Sequence, residues 1–408
     1  MQSKLSHLQK TIILTLYSNY KTPHELNRRL LSKKVAKQIK QNPSSTSFQV
    51  AMCNSLKSLE RRGLITSEHW DTYRTYAILT DEGLATVKEL KEKKKKILLI
   101  DIDSKIPNLA LMKISAYHKK NGDKVSLLKH PCKNGKEQIK HKFDKVYISS
   151  IFQENAEKTI EFSKQFKNVE MGGYFINPQT ILPDEMEHIM PDYSLYNCDY
   201  SIGYSSRGCI NNCPWCIVPK KEGEIRVNCD IYEFWSPEHK HIELLDNNPM
   251  ALPDHFKKIT DQIKKENLTV SFHGLDARLL NDDNTEILSQ LKIIPEPRFA
   301  FDSMEDEKWV RRGISLLNKH GIKRALWYVL VGYDTTWEQD MYRIDLLKKL
   351  GQRPYIMRYG ATQNNHMYAL LSSWVNQYQF FHTMSFERFI ECEEDRSKLI
   401  KKTNREGN

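Results

Sequence analysis

The chain predicts an α/β protein, and three observations carry that expectation. From residue 96 onward, short apolar strands alternate with helices, the pattern of parallel sheets covered on both faces. Six strand–helix repeats follow one another between residues 196 and 365. Residues 1–92 read differently, as three helices, a hairpin and a further helix. The expected segments are therefore 1–92, 96–192, 196–365 and a helical tail at 366–408, within a length that allows two or three domains.

The first segment begins with helical apolar spacing over Leu5–Tyr17. Thr22-Pro-His-Glu25 supplies an N-cap, a proline at the first helical position and an acidic first turn for a second helix. Ser44-Ser-Thr-Ser-Phe48 opens a third, running through Leu64, with Val50, Leu56 and Leu59 on one face and Arg61-Arg62-Gly63 closing it. Strands follow at Leu64–Glu68 and Tyr73–Leu79, joined by Trp70-Asp-Thr72, and Thr80-Asp-Glu-Gly83 caps a fourth helix. The Lys91–Lys96 run reads as a solvated helix end or linker.

In the second segment, Lys96–Asp103 is a buried-type strand and Pro107–Asn121 a helix ending at Gly122. Strands at Asp123–Leu128 and Lys145–Ile151, a helix at Glu154–Phe166 and a strand at Val169–Phe175 complete it. In the third, strands are expected at Tyr200–Tyr204, His241–Asp246, Thr269–His273, Arg298–Asp302, Ala325–Val331 and Pro354–Tyr359. From residue 366, Met367, Trp374, Tyr378, Phe380, Phe381, Phe386 and Phe389 form an aromatic helical tail expected to pack over an open side of these repeats.

Composition excludes several classes. Apolar content is 39%, and no apolar run approaches the ~18–20 residues of a membrane span. Thr11–Tyr17 is too short for a signal peptide and lacks a cleavage pattern. Eight cysteines in 408 residues are no disulfide framework. The net charge of +11 is uneven: residues 1–96 hold 19 Lys and Arg against 8 Asp and Glu, and the rest hold 43 of each. A polyanion partner, DNA or RNA, is therefore expected at residues 1–92.

The chemistry-bearing segment is Arg207-Gly-Cys-Ile-Asn-Asn-Cys-Pro-Trp-Cys216. Cys209, Cys213 and Cys216 stand as C-x3-C-x2-C. Three thiolates on one loop each hold one iron of a cubic cluster and leave the fourth iron open, whereas an electron-transfer cluster uses four cysteines. Zinc is the competing reading, but it calls for a second Cys or His pair. No His lies within twenty residues after Cys216, and Cys229 stands alone.

This spacing is similar to that of the radical S-adenosylmethionine (SAM) enzymes. The resemblance implies a [4Fe-4S] cluster and SAM as cofactors, a flavodoxin or ferredoxin as electron donor, and a reducing cytoplasm as the compartment. It implies a partial, six-repeat TIM barrel at 196–365, with functional groups at the C-terminal strand ends. Trp215 matches the aromatic position near adenine, and Asp246-Asn247-Asn248 stands where the family meets the SAM amino group. The usual Gly-Gly-Glu is absent there. Asp302-Ser303 falls near ribose and carboxylate, and Val331-Gly332 resembles the stretch that meets adenine. Arg278 faces the SAM carboxylate or substrate, or else forms an ion pair at the barrel mouth. Asp334–Asp340 is similar to a run found in many such enzymes, where Thr336 caps a helix. No residue is assigned as catalytic acid or base.

Residues 1–92 resemble a winged helix, with Ser45–Arg61 as recognition helix. Gln49, Asn54, Lys57 and Arg61 are the candidate groove-facing residues, and Tyr73 and Arg74 fall in the wing. The alternative is a winged helix that recognises protein or peptide. Residues 96–192 resemble a cobalamin-binding, flavodoxin-like domain. There Ser149-Ser150 and Gly172-Gly173 lie at the strand ends where the cofactor tail would run. The stretch Asp101–Pro107 lacks the His that would ligate cobalt. Either cobalamin binds without a protein lower ligand, or the domain is a scaffold.

The resemblance as a whole implies an enzyme that modifies a macromolecular substrate, nucleic acid foremost, by methylation or another outcome of hydrogen abstraction. A peptide maturase that uses the winged helix for leader recognition is the second reading. An iron–sulfur redox sensor that binds an operator is the third, disfavoured by six complete repeats that sensing does not need. Methylthiolation calls for a second cluster, and Cys53, Cys132, Cys198, Cys229 and Cys392 are too scattered for one.

Overall fold

The structure, a computed structural model, describes residues 5–18, 28–71, 74–92, 94–130, 142–178 and 180–393. It is a mixed α/β protein with parallel sheets, divided into two compact units that are described separately. No described helix is long and apolar enough to cross a membrane.

The first unit is built mainly from residues 1–97. Its elements are α1 (His7–Ser18), α2 (Arg28–Gln38), α3 (Thr46–Arg61), the antiparallel pair β1 (Ile65–Asp71) and β2 (Arg74–Leu79), and α4 (Asp81–Glu92). The expected order of elements is present. The expected start of the second helix at Thr22–Glu25 lies outside the described residues, as does Tyr73, and the side chain of Arg74 is likewise not described.

Ser45 caps α3 by accepting from Phe48 N at 3.3 Å. The helix stops before the expected Leu64, because Gly63 takes φ +68° and its N–H reaches back to Glu60 O. Its buried face is Phe48, Met52, Leu56 and Leu59, packed with Ile12, Leu31 and Val35. Val50, expected on that face, is 54% exposed. Its position places it with Asn54, Lys57 and Arg61 on the outward stripe, where i, i+4, i+7 and i+11 align. Gly83 opens α4 against Leu64, so close that a Cβ would lie 2.1 Å from Leu64 O.

The remaining strands form three sheets and one clasp. β3 (Lys96–Asp101), β4 (Lys124–Lys129), β5 (Lys145–Ser149) and β6 (Val169–Gly172) stand in the order β4-β3-β5-β6, with β5 and β6 parallel. Helices α5 (Leu109–Lys120) and α6 (Ala156–Ser163) lie between them in sequence, and the one-turn α7 (Asp184–Glu187) follows.

β7 (Ser201–Gly203) begins the largest region. A two-residue antiparallel clasp, β8 (Ser206–Arg207) with β9 (Arg226–Val227), closes the cysteine loop, which also carries the short α8 (Val218–Lys221). Then come β10 (His241–Leu244), α9 (Pro253–Lys265), β11 (Thr269–Phe272), α10 (Asp282–Ser289) and β12 (Lys292–Ile293). β13 (Arg298–Ala300), α11 (Glu307–Lys319), β14 (Leu326–Val331), α12 (Trp337–Lys349) and β15 (Arg353–Arg358) complete the repeats. All six expected strands are present. They form two parallel sheets, β12-β11-β10-β7 and β13-β14-β15. β12 was not expected, since two residues carry no readable periodicity.

Each sheet turns one face to a shared apolar core. Ile242, Leu244, Val270, Phe272, Phe299, Trp327, Val329 and Ile356 meet Phe256, Ile259, Val310, Ile314 and Leu347 from the helices. α13 (His366–Asn376) and α14 (Tyr378–Thr383) add Leu371, Trp374 and Phe381, and Phe386 and Phe389 join the same core. Met367 and Tyr378 of the aromatic tail stay exposed.

Candidate functional site

The cysteine loop is held from below by one buried carboxylate. Asp246, just beyond β10, is 1% exposed. Its Oδ1 accepts from Ser205 Oγ at 2.7 Å and from Ser206 N and Oγ at 2.5 Å, and its Oδ2 accepts from Ser205 N at 3.0 Å. Burial pushes the Asp246 carboxyl upward against those four bonds. Asp246, expected together with Asn247 and Asn248 near the SAM amino group, directs these four bonds to the chain where it leaves β7.

The loop is then closed on itself. Gly208 takes φ +82°, and a Cβ there would lie 2.1 Å from Glu224 O. Its N–H donates to Glu222 Oε2 at 2.9 Å, and Cys209 N donates to Gly223 O at 3.3 Å. Asn247, a second expected SAM contact, donates its amide to Glu222 Oε2 at 3.0 Å. Arg207 lies 3.6 Å over the Tyr204 ring and pairs with Glu187 at 3.0 Å and Glu222 at 3.4 Å. Burial raises the Glu187 carboxyl, but Lys113 and Arg207 outweigh it and hold the group below the usual range.

Cys209, Cys213 and Cys216 are free thiols, each partly exposed. Burial pushes the Cys213 thiol up, Arg278 opposes it, and Cys216, Cys209 and Asp302 add to the rise. The three sulfurs and the two charged groups therefore act on one another. Asn211 N points at Cys209 Sγ at 3.4 Å, a backbone donor positioned for a thiolate. Cys216 N donates to Cys213 O at 3.0 Å, tightening the turn that carries Trp215. Among the described residues no three or more His, Cys, Asp or Glu side chains converge closely enough to hold a single metal ion. Cys229 belongs elsewhere: it bonds Tyr204 O at 3.3 Å, and burial pushes its thiol up to about 12.

Around the loop, Asp276 is a hub that sequence reasoning missed. It accepts from Asn211 at 2.8 Å and Asn248 at 3.2 Å, and pairs with Arg278 through two bonds of 2.8 and 2.9 Å. Burial opposes the charge, yet the Arg278 and Asn211 bonds hold the Asp276 carboxyl below its ordinary value. The ion pair is thus the arrangement Arg278 adopts. The signal was present in Gly-Leu-Asp-Ala-Arg278, where an aspartate two residues before the arginine also caps the next turn. Asn248 is 2% exposed, and among the described residues its Oδ1 has no hydrogen-bond partner, an orphaned acceptor beside the hub.

The aromatic side of the site also assembles. Trp215 meets Tyr333 edge-on at 4.9 Å, and Tyr333 meets Tyr359 at 5.0 Å. Gly332 precedes Tyr333 with φ +77°, and a Cβ there would strike Thr362 Cγ2 at 1.9 Å. Asp302 accepts from Leu330 N at 3.1 Å, and burial pushes its carboxyl up to about 6. Ser303 Oγ caps the turn after β13 through Glu305 N at 3.0 Å. Thr336 caps α12 in a reciprocal box with Gln339.

The other expected sites fall on other segments of the chain. Ser149 Oγ accepts from Asn108 at 2.9 Å, and Ser150 Oγ donates to Asp103 at 2.9 Å. Asp103 also takes Ile151 N, Phe152 N and Asn155 Nδ2. Gly173 has φ +122°, and a Cβ there would lie 1.8 Å from Ser150 O. Gly172 bonds Ser150 N through its carbonyl at 3.1 Å. Gly173 is thus pressed against Ser150, whereas a Cβ at Gly172 would meet only Thr180 Cγ2 at 3.9 Å. In α3, Gln49, Asn54, Lys57 and Arg61 are all exposed, with the Gln49 amide bonded to Ser32 Oγ and Pro43 O and Arg61 Nε to Lys57 O at 3.4 Å.

Compared with known proteins, the chain matches no family model, no curated protein and no solved structure.

Asp302 gives a pH prediction. Its folded value lies above the ordinary carboxylate range, so ionising it costs stability as pH rises through about 6. Asp302→Asn is expected to raise the melting temperature of the iron-free protein at neutral pH, with the gain vanishing at acid pH, where both forms are neutral. Melting curves across pH check this, and a gain independent of pH would contradict it.

Proposed function

We propose that this chain is a radical SAM enzyme that modifies a macromolecular substrate, with nucleic acid recruited by residues 1–92. The observation that carries the reading is the clasped loop of three free thiols at the C-terminal end of β7, with Trp215 against Tyr333 and an orphaned acceptor on Asn248. The residues present fit the cofactors the reading needs. Cys209, Cys213 and Cys216 would hold a [4Fe-4S] cluster. Bound there, such a cluster would supply the one-electron reduction that cleaves SAM and so permits hydrogen abstraction from a C–H bond.

The chain's own contribution is placement, charge and dryness. Asn211 N–H faces Cys209 Sγ, where it stabilises thiolate charge. Arg278 adds positive charge near Cys213 while anchored on Asp276. Asn248 Oδ1, buried and unpartnered among the described residues, suits the ammonium of SAM, the group expected at Asp246-Asn247-Asn248. Trp215, Gly332 and Tyr333 form the apolar wall for adenine. The two parallel sheets are read as a split, six-repeat partial barrel. Cobalamin is left out of the reading, since a Cβ at Gly173 would strike Ser150 O and Asp103 takes the neighbouring donors. Hydrogen abstraction therefore comes before cobalamin-dependent methyl transfer.

Residues 5–92 are read as a winged helix whose α3 presents Asn54, Lys57 and Arg61 to a phosphate backbone or groove. A reducing cytoplasm and a flavodoxin or ferredoxin donor complete the proposal.

Two measurements test it. Protein reconstituted without oxygen and given dithionite and SAM is expected to release 5′-deoxyadenosine, and Cys213→Ala is expected to abolish release while Cys53→Ala does not. Release retained by Cys213→Ala would sink the reading. Full-length protein is expected to bind duplex or structured nucleic acid with strong salt dependence. Lys57→Ala with Arg61→Ala should lower the slope of log affinity against log salt by about two, one for each lost phosphate contact. An unchanged slope would remove α3 from the nucleic-acid interface.

A further inference from the structure

The face of the two parallel sheets opposite the core carries a polar cluster that the cysteine site does not use. Strand alternation sets it out. Ile242 and Leu244 enter the core, so His241 and Glu243 face the other way; Val270 and Phe272 do the same for Thr269, Ser271 and, just beyond β11, His273. On β13 and β14, Phe299, Trp327 and Val329 enter the core, leaving Arg298 and Tyr328 on the opposite face, and Tyr355 stands beside Tyr328 at 5.7 Å. Barrel-like interiors are ordinarily filled with branched apolar residues. This face is polar, and His241, Glu243, His273, Arg298 and Tyr328 on it are half-buried, so it is a surface made to be occupied.

Its hydrogen bonds are unequal. Glu243 is fully engaged, with Oε1 3.1 Å from His241 Nε2 and Oε2 bonded to His273 Nε2 at 2.5 Å. Burial pushes the Glu243 carboxyl up, but the two imidazoles outweigh it and hold the group well below the carboxylate range. Both ring nitrogens of His241 face acceptors. Nε2 meets Glu243, and Nδ1 meets Thr269 Oγ1 at 2.8 Å, whose own hydrogen goes to Lys240 O at 3.1 Å. The carboxylate's charge is therefore answered from within. Two groups remain unanswered among the described residues. His273 Nδ1 has no hydrogen bond, and its side chain is 30% exposed. The half-buried Arg298 guanidinium has neither a hydrogen bond nor an ion pair, although it lies within electrostatic reach of the Tyr328 hydroxyl. Leu275 N donates to Arg298 O at 3.1 Å, so the chain leaving β11 after His273 runs beside Arg298.

We propose that this face binds an oxyanion of the substrate, a carboxylate or a phosphate, with Arg298 and His273 as its ligands and Glu243 as the residue that orients His273. A half-buried guanidinium without a partner is costly, and an oxyanion with two oxygens for its fork is the partner its geometry fits. With Nε2–H donated to Glu243, Nδ1 can donate to the oxyanion only from the imidazolium, so the bound form carries His273 protonated; its ring is already held in a fixed direction and loses little further freedom on binding. The site stands on the geometry of this face alone. It would set the chemical class of what the proposed enzyme acts on, but its test needs neither iron nor SAM. Failure of one reading is thus distinguishable from failure of the other.

The test is a titration of the full chain, labelled with nitrogen-15 histidine, with sodium phosphate and separately with sodium acetate. The His273 ring signals are assigned by their loss in His273→Gln. We expect them to shift saturably with at least one of the two anions, and not with sodium chloride at matched ionic strength. A response to phosphate alone assigns a phosphate, and a response to acetate alone a carboxylate. Arg298→Gln should weaken the response at least about tenfold, the loss expected for one charge-assisted contact. If that variant does not fold, Arg298→Lys carries the test, with a smaller weakening from the lost bidentate geometry. Signals that move with neither anion, that move equally with chloride, or that respond unchanged in the Arg298 variants overturn the proposal.

Discussion

Everything at the candidate site depends on a carboxylate that the protein buries at a cost. Asp246 accepts four bonds from Ser205 and Ser206, yet burial still drives its carboxyl upward. Such a group adds little to stability compared with an apolar substitute of the same shape. What it gives is direction. The chain leaving β7 is turned through Ser205 into β8, and β8 pairs with β9 to close the loop that carries Cys209, Cys213 and Cys216. A loop of that length without the clasp would sample many shapes.

From this anchor two networks spread. One runs from Lys113 on α5 through Glu187 to Arg207, and on to Glu222, which also holds Gly208 N and Asn247. It ties α5 and the segment before β7 to the base of the loop with largely buried charges. The other is centred on Asp276, which gathers Asn211 from the loop, Asn248 from the end of β10 and Arg278. Both place donors and cations around the thiols, and among the described residues Asn248 Oδ1 is left without a partner. The proposed radical chemistry and the proposed oxyanion face use different groups, so neither reading leans on the other's residues.

Much of this was legible in the sequence where periodicity or spacing carries information. The six strands from Ser201 to Arg358 fall within a residue or two of their expected bounds, because runs such as Leu326–Val331 are apolar and flanked by glycine or polar turns. The cysteine spacing singled out the loop. The clasp was not legible, since two-residue strands leave no pattern, and neither was β12. Val50 misled because an apolar residue was assumed to face inward, whereas Phe48 and Met52 take that face. Asp246 was read as a ligand residue from its place at a strand end, while its bonds to Ser205 and Ser206 were not legible, because only the pairing of β7 with β10 brings them together. The Glu243 network stayed hidden for the same reason: its partners His241, Thr269, Ser271 and His273 come from two strands, and only their pairing brings them onto one face.

The central claim is that the clasped three-thiol loop holds a cluster with one iron left open to SAM. Electron paramagnetic resonance of the anaerobically reconstituted, reduced protein tests it most directly. The account predicts a spin-half signal of a reduced four-iron cluster whose g values shift when SAM is added. A protein that binds no iron, or a cluster signal that SAM leaves unchanged, would contradict it.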